Sequence, residues 1–433
     1  MTHSKNFSTE ACVIPTWEVT SKWLSTTAAS QPWWELVGAQ LAMLAHNAQY
    51  SPEKQLEVIL FFYTQVVPSL GKLQTPADPG WETRWRSLLT NDGSPVEHSW
   101  KWNADGSHGP EVRYCIEAIG PQTGTSSDPY NYLATKALVE QLVPLLPAMD
   151  LTWFYKLADT LQISRCQPAT ENPEAPPSST FIAFEHVAEG IVPKVYFLPA
   201  CDPESQGPPT FTTFGNAIRA AVGEKIEAAD AVFEYVSSDP IGRTMSPDML
   251  AIDCVDPAKS RLKLYASSSE ASLESIVSIM SLGQRIQNIG KGVEELKLLL
   301  PLLLGESASD PAGIDFSIKQ AFDESLAHPF DLYGRFTYYF DIAPGSALPT
   351  VKLYVPALRY GSSDESVATG LCKYLELKNR GQHVEGFRKT LNQFSELNRE
   401  EGHRFQTYIA VAFQKDGSLA LTSYLNPGIY RSL

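Results

Sequence analysis

The stretch Arg261-Leu262-Lys263-Leu264-Tyr265 alternates polar and apolar side chains. Because residues two apart share one face of a β-strand, its two cations and its tyrosine lie on one face and its two leucines on the other. The same order, a cation and then a tyrosine two residues later, occurs in two further stretches, Lys194-Val195-Tyr196-Phe197 and Lys352-Leu353-Tyr354-Val355. Three strands therefore present a cation and a tyrosine on one side and apolar residues on the other.

These stretches belong to a larger pattern in which two helical segments are followed by two short strand-like segments. The pattern occurs five times, and the second strands of the five units contain Arg113, Lys194, Lys263, Lys352 and Tyr424. Apolar spacing predicts helix pairs at 33–46 and 52–70, 130–146 and 151–163, 213–222 and 225–236, 270–281 and 292–304, and 362–377 and 384–397. The predicted strand pairs are 96–102 and 112–119, 181–186 and 194–198, 249–254 and 261–265, 333–342 and 351–355, and 405–413 and 419–425.

Short connections between the paired strands indicate antiparallel pairing. Ten antiparallel strands remove their unpaired edges most simply by closing into a barrel. We therefore predict an α/β fold in which a ten-stranded antiparallel β-barrel is ringed by helices, with five ααββ repeats. Residues 1–15 are predicted to form a flexible tail, residues 16–433 a single domain, and the proline-rich stretch 167–179 a surface loop within it.

If helices cover the outside of the barrel, the cations must point into the lumen. No acidic residues alternate with them on these strands, and buried cations need partners, so the sequence predicts an anionic ligand such as a diphosphate. The tyrosines beside the cations, together with those of the last hairpin, can stabilise a carbocation through their ring faces. This combination suits the chemistry of an allylic diphosphate.

Composition excludes other classes of protein. The chain has 433 residues, of which 43% are hydrophobic and 19% charged, and its net charge of −15 disfavours nucleic-acid binding. The leucine-rich run 298–304 is too short to span a bilayer, so no membrane association is predicted. Six cysteines without a CxxC predict free thiols in a reducing, cytoplasmic compartment. No HExxH and no DDxxD occurs, so neither a zinc site nor a magnesium-held diphosphate is expected.

At this point the sequence resembles the fungal aromatic prenyltransferases of the dimethylallyltryptophan synthase family, over nearly its whole length. The resemblance includes the stretches quoted above and a region from Trp34 to Gly71 with Tyr50 and Gln55. Its other parts are Leu88-Leu89-Thr90-Asn91-Asp92-Gly93-Ser94-Pro95-Val96-Glu97, Pro199-Ala200, Pro356 and Arg359-Tyr360-Gly361. It implies the barrel of ten antiparallel strands built from five ααββ units that is called the PT barrel or ABBA fold.

The resemblance also implies roles for individual residues. Glu97 would accept the indole N–H of the acceptor and support positive charge on its ring. The diphosphate would be bound by Arg113, Lys194, Arg261, Lys263 and Lys352. The dimethylallyl cation would be shielded by Tyr196, Tyr265, Tyr354, Tyr408 and Tyr424. The acceptor pocket would include Leu88, Leu89 and Phe181, and Phe181 replaces the lysine that serves as base in members alkylating indole C4. Glu97, the departing diphosphate or a water is left to take the final proton.

The expected function is transfer of a dimethylallyl group from dimethylallyl diphosphate to an indole-containing acceptor in secondary metabolism, without metal or other cofactor. The acceptor would be an indole alkaloid, a tryptophan-containing cyclic dipeptide or a tryptophan derivative. One alternative is a phenolic or xanthone-like acceptor, whose O–H Glu97 would receive. A second alternative is a non-catalytic barrel that binds an isoprenoid. The sequence leaves a homodimer open.

Overall fold

The ten strands close into one barrel in a computed structural model of the chain. The model describes residues 14–24, 27, 30–79, 81, 84–104, 109–164, 178–187, 190–223, 226–268, 270, 272–304, 334–397 and 404–430. The strands are β1 (Val96–Trp102), β2 (Glu111–Ile116), β3 (Thr180–Val187), β4 (Gly190–Phe197), β5 (Met245–Asp253), β6 (Leu262–Ser268), β7 (Phe336–Ile342), β8 (Thr350–Val355), β9 (Gln406–Phe413) and β10 (Leu419–Leu425).

Every strand pairs antiparallel with its neighbours in the chain, and β1 pairs with β10 to close the barrel. In the closing pair Ser99 lies opposite Tyr424, and Lys101 lies opposite Thr422. The predicted barrel fold, with antiparallel pairing throughout, is therefore confirmed.

Alternation along each strand separates two environments. On β6 the outward residues Leu262, Leu264 and Ala266 are fully buried in the main hydrophobic core between barrel and helices. The inward residues Lys263 and Tyr265 lie outside that core. Because helices cover the outer face, the polar alternate face is directed into the lumen, as the sequence predicted.

The helices lie between the strand pairs, two or more in each unit. They are α1 (Pro15–Trp23), α2 (Gln31–Trp33), α3 (Ala39–Asn47), α4 (Pro52–Phe61), α5 (Leu133–Leu142), α6 (Thr152–Thr160), α7 (Phe211–Val222), α8 (Glu227–Ser238), α9 (Leu273–Met280), α10 (Gly290–Leu304), α11 (Ala357–Tyr360), α12 (Asp364–Leu377) and α13 (Val384–Leu397). Serine or threonine side chains cap α4, α7, α9 and α12, and each accepts a backbone N–H of the first turn.

The first unit differs from the regular pattern predicted for it. Each of its two long helical stretches contains a π-helical turn, at Trp34–Gly38 and at Phe62–Val66. Helix α1 in this unit and the small helix α11 in the fifth unit were also not predicted. Apolar spacing finds a helical stretch, but it does not distinguish one type of helical turn from another.

Two further predictions can be compared only in part. The predicted tail lies almost wholly outside the described residues, and most of the loop 167–179 does too, so both stay predictions.

The prediction of free cysteines is wrong for Cys201, which is in a disulfide, while Cys115, Cys254 and Cys372 are free. The spacing of cysteines in a sequence cannot reveal a pair that only the fold brings together.

Membrane-spanning helices are absent from the described part of the chain, where every helix is too short or too polar to cross a bilayer.

Helices α10 and α12 approach each other closely at Gly370. A Cβ atom placed on Gly370 would lie 1.8 Å from the carbonyl oxygen of Leu302, one residue after Pro301 in α10. Only a residue without a side chain fits at this crossing.

We therefore expect Gly370→Ala to destabilise the protein by about 1–3 kcal/mol, because the two backbones must separate. Urea unfolding of the whole chain measures this loss. Gly290→Ala is the matched control, since a Cβ there meets nothing within 4 Å. Equal stability of the two variants would contradict this account of the crossing.

Candidate active site

The lumen contains one cavity with an empty volume of about 1060 Å³, its open mouth included. Its walls include Glu97 from β1, Arg113 and Cys115 from β2, and Tyr354 from β8.

Charged residues form the first of three layers along the lumen. We call this layer the ion ring. Its members are the cations Lys101, Arg113, Lys194, Arg261, Lys263 and Lys352 and the carboxylates Glu111, Glu185, Asp253 and Asp341. All five cations predicted to bind diphosphate are therefore brought together, although Arg261 precedes β6 by one residue and its side chain is 44% exposed.

Carboxylates partner most of these cations, so the expectation that the cations would lack acidic partners is wrong. Lys263 contacts Asp253 at 2.8 Å, and Arg261 contacts Asp253 at 3.0 Å and Asp341 at 3.2 Å. Lys194 pairs with Glu185. Glu185, Asp253 and Asp341 lie opposite cations on neighbouring strands and therefore do not alternate with them on one strand. Glu111 differs, because it shares β2 with Arg113 and lies two residues before it.

Arg113 is held between two carboxylates, Glu111 and Glu185. Although burial would raise the pKa of Glu185, Arg113 and Lys194 hold it at about 2. The same holds for Asp253. Burial would raise its pKa, but the positive charges of Lys263, Lys194 and Arg261 keep the pKa well below its usual value. These carboxylates are ionised at neutral pH and stabilise the cations beside them.

Lys352 is the exception within the ion ring. It forms no ion pair with any described residue, and its hydrogen bond is to Thr422 Oγ1 at 3.4 Å. Its Nζ lies 5.5 Å from the ring centroid of Tyr354 and 5.8 Å from that of Tyr339. Burial, and then the positive charges of Arg113, Lys101, Lys194 and Lys263, lower its pKa well below the ordinary value. An anion entering the ring would restore the charged form of Lys352.

When all its side chains are in their charged forms, the ion ring has six cations and four carboxylates, an excess of two positive charges. Lys194, Lys263 and Lys352 are buried, so solvent compensates this excess only weakly. The ring therefore has the charge to bind a polyanion.

Tyrosines form the second layer, next to the ion ring. We call this the tyrosine layer, and its members are Tyr196, Tyr265, Tyr339, Tyr354, Tyr408 and Tyr424. Tyr354 is central: its ring centroid lies 5.5 Å from that of Tyr424 and 6.0 Å from those of Tyr265 and Tyr408. All five predicted tyrosines are in this layer. Tyr339 on β7 was not predicted, because the residue two positions after it on the same face is the acid Asp341 and not a cation.

Apolar side chains form the third layer. We call it the apolar cluster, and it consists of Leu88, Leu89, Phe181 and Leu198. Tyr196 and Met249 pack against both this cluster and the tyrosine layer, so the two layers are adjacent. The three residues predicted for the acceptor pocket thus come together.

A tight turn places Leu88 and Leu89 against the barrel. Gly93 has a φ of +82°, which favours glycine, and its carbonyl accepts the Ser87 N–H at 3.1 Å. Ser178 Oγ accepts the Leu88 N–H at 3.0 Å and donates to Glu117 at 2.8 Å. Buried Glu117 therefore links the turn to the barrel, a structural role that the sequence did not suggest.

Glu97 lies at the cavity wall, opposite Cys115 on the neighbouring strand. Thr407 Oγ1 donates a hydrogen bond to its carboxyl at 3.2 Å. Burial raises the pKa of Glu97 to about 8, and the single hydrogen bond from Thr407 offsets this only in part. In the empty protein Glu97 is therefore largely protonated at neutral pH, and a ligand that donates a hydrogen bond would favour its ionised form.

The three layers follow the same order along several strands. Lumen-facing positions run Lys194, Tyr196, Leu198 from β4 and Lys263, Tyr265, Ser267 on β6. On β7, which runs the other way, the order is Asp341, Tyr339, Thr337. The cavity thus passes from a charged end, through aromatic rings, to an apolar end beside Glu97.

Comparison with known proteins identifies the family of the chain. A family model described as tryptophan dimethylallyltransferase matches residues 29–390. The chain belongs to this family. It is a prenyltransferase, and the resemblance seen in the sequence is confirmed.

Relatives of this prenyltransferase match along nearly the whole chain. The DMATS-type prenyltransferase fscG of Fusarium equiseti is 50% identical, over 96% of this chain and 95% of its own. Xanthone prenyltransferase A of Emericella nidulans is 34% identical, over 92% of each chain. The crystal structure of NotF in complex with brevianamide F and DMSPP has a TM-score of 0.77 and 21% identity, over 96% of this chain and 99% of that one, and shows the shared fold.

We predict that Lys352→Met leaves the empty prenyltransferase as stable as the wild type, or more stable, because it removes a buried cation that has no carboxylate partner. It should weaken the binding of inorganic diphosphate about 10- to 150-fold, since a charge-assisted contact is lost. Thermal unfolding and calorimetric titration measure the two effects.

Lys263→Met provides the matched control, because it leaves Asp253 with one fewer cation. Its melting temperature should fall below that of Lys352→Met. A fall of the same size in both variants, or unchanged diphosphate binding in Lys352→Met, would contradict the distinction between the two lysines.

Proposed function

We propose that this prenyltransferase transfers a dimethylallyl group from dimethylallyl diphosphate to an aromatic ring, without a metal ion. The observation that carries the proposal is the order of the lumen layers: an excess of cations, then tyrosines, then an apolar cluster beside Glu97. Each layer suits one part of such a reaction, and they follow one another in the order in which the substrates would lie.

The ion ring would bind the diphosphate and accept the charge that it gains on leaving. As the bond between the allylic carbon and the phosphate oxygen breaks, both electrons leave with the diphosphate. Lys352, which lacks a carboxylate partner, would gain most from this charge, while Arg113, Lys194, Arg261 and Lys263 would share it. Among the described residues no group of three or more His, Cys, Asp or Glu side chains is arranged to hold a metal ion. In this proposal the cations of the ion ring neutralise the charge of the diphosphate.

The tyrosine layer would enclose the dimethylallyl cation. Neighbouring rings of this layer lie 5.3–6.1 Å apart between centroids, five of the six tyrosines line the cavity, and Lys352 Nζ lies 5.5 Å from the ring centroid of Tyr354. Their faces attract positive charge, and their bulk excludes the water that would otherwise capture the cation. The acceptor ring would then attack from the apolar cluster.

Glu97 would orient the acceptor and support the charge on it. Its carboxyl can accept an N–H or an O–H, and the bond strengthens as the ring becomes positive. A new carbon–carbon bond forms, and the ring then loses a proton to restore aromaticity. Phe181 cannot take this proton, so we assign it to Glu97, the departing diphosphate or water.

The acceptor we propose first is an indole, consistent with the family model and with the brevianamide F complex of NotF. A phenolic acceptor is the second candidate, favoured by the 34% identity to a xanthone prenyltransferase. Glu97, with its raised pKa, is suited to receive the proton of a phenol as well as to accept an indole N–H. A barrel that only binds an isoprenoid has no use for the excess cations of the ion ring.

A product screen tests the function. Dimethylallyl diphosphate is offered with indoles, tryptophan-containing cyclic dipeptides and phenols, and products are identified by mass spectrometry, with and without excess EDTA. We expect prenylated products, formed at the same rate in EDTA because Lys and Arg neutralise the diphosphate. Loss of product in EDTA with recovery on adding Mg²⁺ would refute the metal-independent account.

Glu97→Gln tests the acceptor contact. It retains an oxygen for Thr407 but cannot carry charge, so we expect kcat to fall about 10- to 150-fold with little change in the donor KM. In the wild type kcat/KM for the acceptor should rise as pH increases towards 8, because the carboxylate form of Glu97 accumulates. In Glu97→Gln this rise should be lost.

A methylated acceptor separates this contact from a general disturbance of the cavity. An indole methylated on nitrogen, or a phenol methylated on oxygen, has no proton to offer Glu97. It should be a poor acceptor for the wild type and should lose much less on Glu97→Gln. Equal proportional losses for methylated and unmethylated acceptors would show that Glu97 does not act through that proton.

A further inference from the structure

A β-bulge in β5 turns an acidic side chain into the lumen. The pairing of β5 with β6 shifts between Pro247 and Met249: Pro247 lies opposite Ala266 and Met249 opposite Tyr265, so Asp248 has no partner residue on β6. A bulge of this kind redirects side chains. Asp248 lines the cavity, and its carboxyl contacts Ser267, a lumen-facing residue of β6, so the bulge directs Asp248 inwards.

Only one of the two carboxyl oxygens of Asp248 has a hydrogen-bond partner among the described residues. Ser267 Oγ donates to Oδ1 at 3.0 Å, whereas Oδ2 is buried and has no hydrogen-bond partner among the described residues. Burial raises the pKa of Asp248 to about 7, and the hydrogen bond from Ser267 and the more remote charge of Arg335 offset this only in part. A buried carboxyl oxygen without a partner costs free energy unless a ligand supplies a donor.

Asp248 lies towards the apolar end of the cavity. Its neighbour Met249 packs against both the tyrosine layer and the apolar cluster, and Ser267 follows Tyr265 on the side away from Lys263. Glu97 lines the same cavity. Two carboxyls therefore face the space left for the acceptor, one on β1 and one on β5, and the ion ring lies beyond the tyrosines.

We propose that Asp248 determines acceptor specificity by binding a substituent that donates hydrogen bonds, an ammonium or a hydroxyl group, and by excluding acceptors that present a carboxylate there. This inference rests on the proposed function, because it assumes that the apolar end of the cavity receives the acceptor. Glu97 would contact the reacting ring of the acceptor, and Asp248 would contact the side chain that this ring carries. A carboxylate placed beside Asp248 would meet like charge at a site shielded from water, whereas an ammonium would form a charge-assisted hydrogen bond.

Three indoles that differ only at the end of the side chain test the proposal: tryptamine, tryptophol and indolepropionic acid. We expect wild-type kcat/KM to be higher for the amine and the alcohol than for the acid. In Asp248→Asn the ratio of amine to acid should fall by about tenfold or more, because the charge is removed while the size is kept. The donor KM should stay unchanged. The same comparison with tyramine and hydroxyphenylpropionic acid extends the test to phenols.

Asp256→Asn is the matched control. Asp256 is exposed in the turn after β5, so this variant removes the same charge from the same hairpin without touching the cavity. Its ratio of amine to acid should equal that of the wild type.

The possible outcomes separate the two proposals. An unchanged ratio in Asp248→Asn, or a wild type that prefers the acid, overturns the role of Asp248 while leaving prenyl transfer intact. Absence of product with every acceptor overturns the proposed function instead. Calorimetric titration of tryptamine and indolepropionic acid then decides on Asp248 separately: tighter binding of the amine supports its role, and equal or undetectable binding of both overturns it. The wild-type comparison needs no variant and holds even if Asp248→Asn fails to fold.

Discussion

Closure of the barrel is the constraint from which the rest of the structure follows. Once β1 pairs with β10, every strand has one face towards the helices and one towards the lumen, and no side chain on the inner face can reach bulk solvent at an open edge. Lysines and arginines on that face must therefore be neutralised inside the protein. The carboxylates around the cavity provide most of this neutralisation.

The carboxylates neutralise the cations of the ion ring only in part. Glu185, Asp253 and Asp341 each lie opposite a cation of the neighbouring strand and neutralise much of the ring, but Lys352 has no such acid. A fully neutralised ring would bind an incoming diphosphate weakly, and a ring without acids would repel itself and destabilise the fold. The observed balance keeps the protein folded when empty and still leaves an excess charge for a ligand.

Much of this arrangement could be predicted from the sequence, because alternation and apolar spacing are local properties. Strand β1 at Val96–Trp102, strand β10 at Leu419–Leu425 and helix α13 at Val384–Leu397 have the predicted bounds. The pairing of cations with acids was missed because it depends on register between strands from different units. A signal was nevertheless present: the first strands of three successive units each carry an acid near their end, Glu185, Asp253 and Asp341. The bulge at Asp248 is a different case, since strict alternation places that residue on the outer face, and only the strand register shows otherwise.

The hydrogen bond between Thr407 and Glu97 joins residues 310 positions apart, and it has a consequence for how the chain reaches this structure. During synthesis the first hairpin leaves the ribosome long before the last one. Until β9 and β10 are made, β1 lacks its second partner strand, β10, and Glu97 lacks the hydrogen bond from Thr407 on β9. The cavity is thus the final product of folding, formed when the two ends of the chain meet. Such long-range contacts slow folding. They also mean that a nascent chain lacking the last hairpin would expose its charged and aromatic inner face, so that the interval before closure is when this protein most needs protection from aggregation.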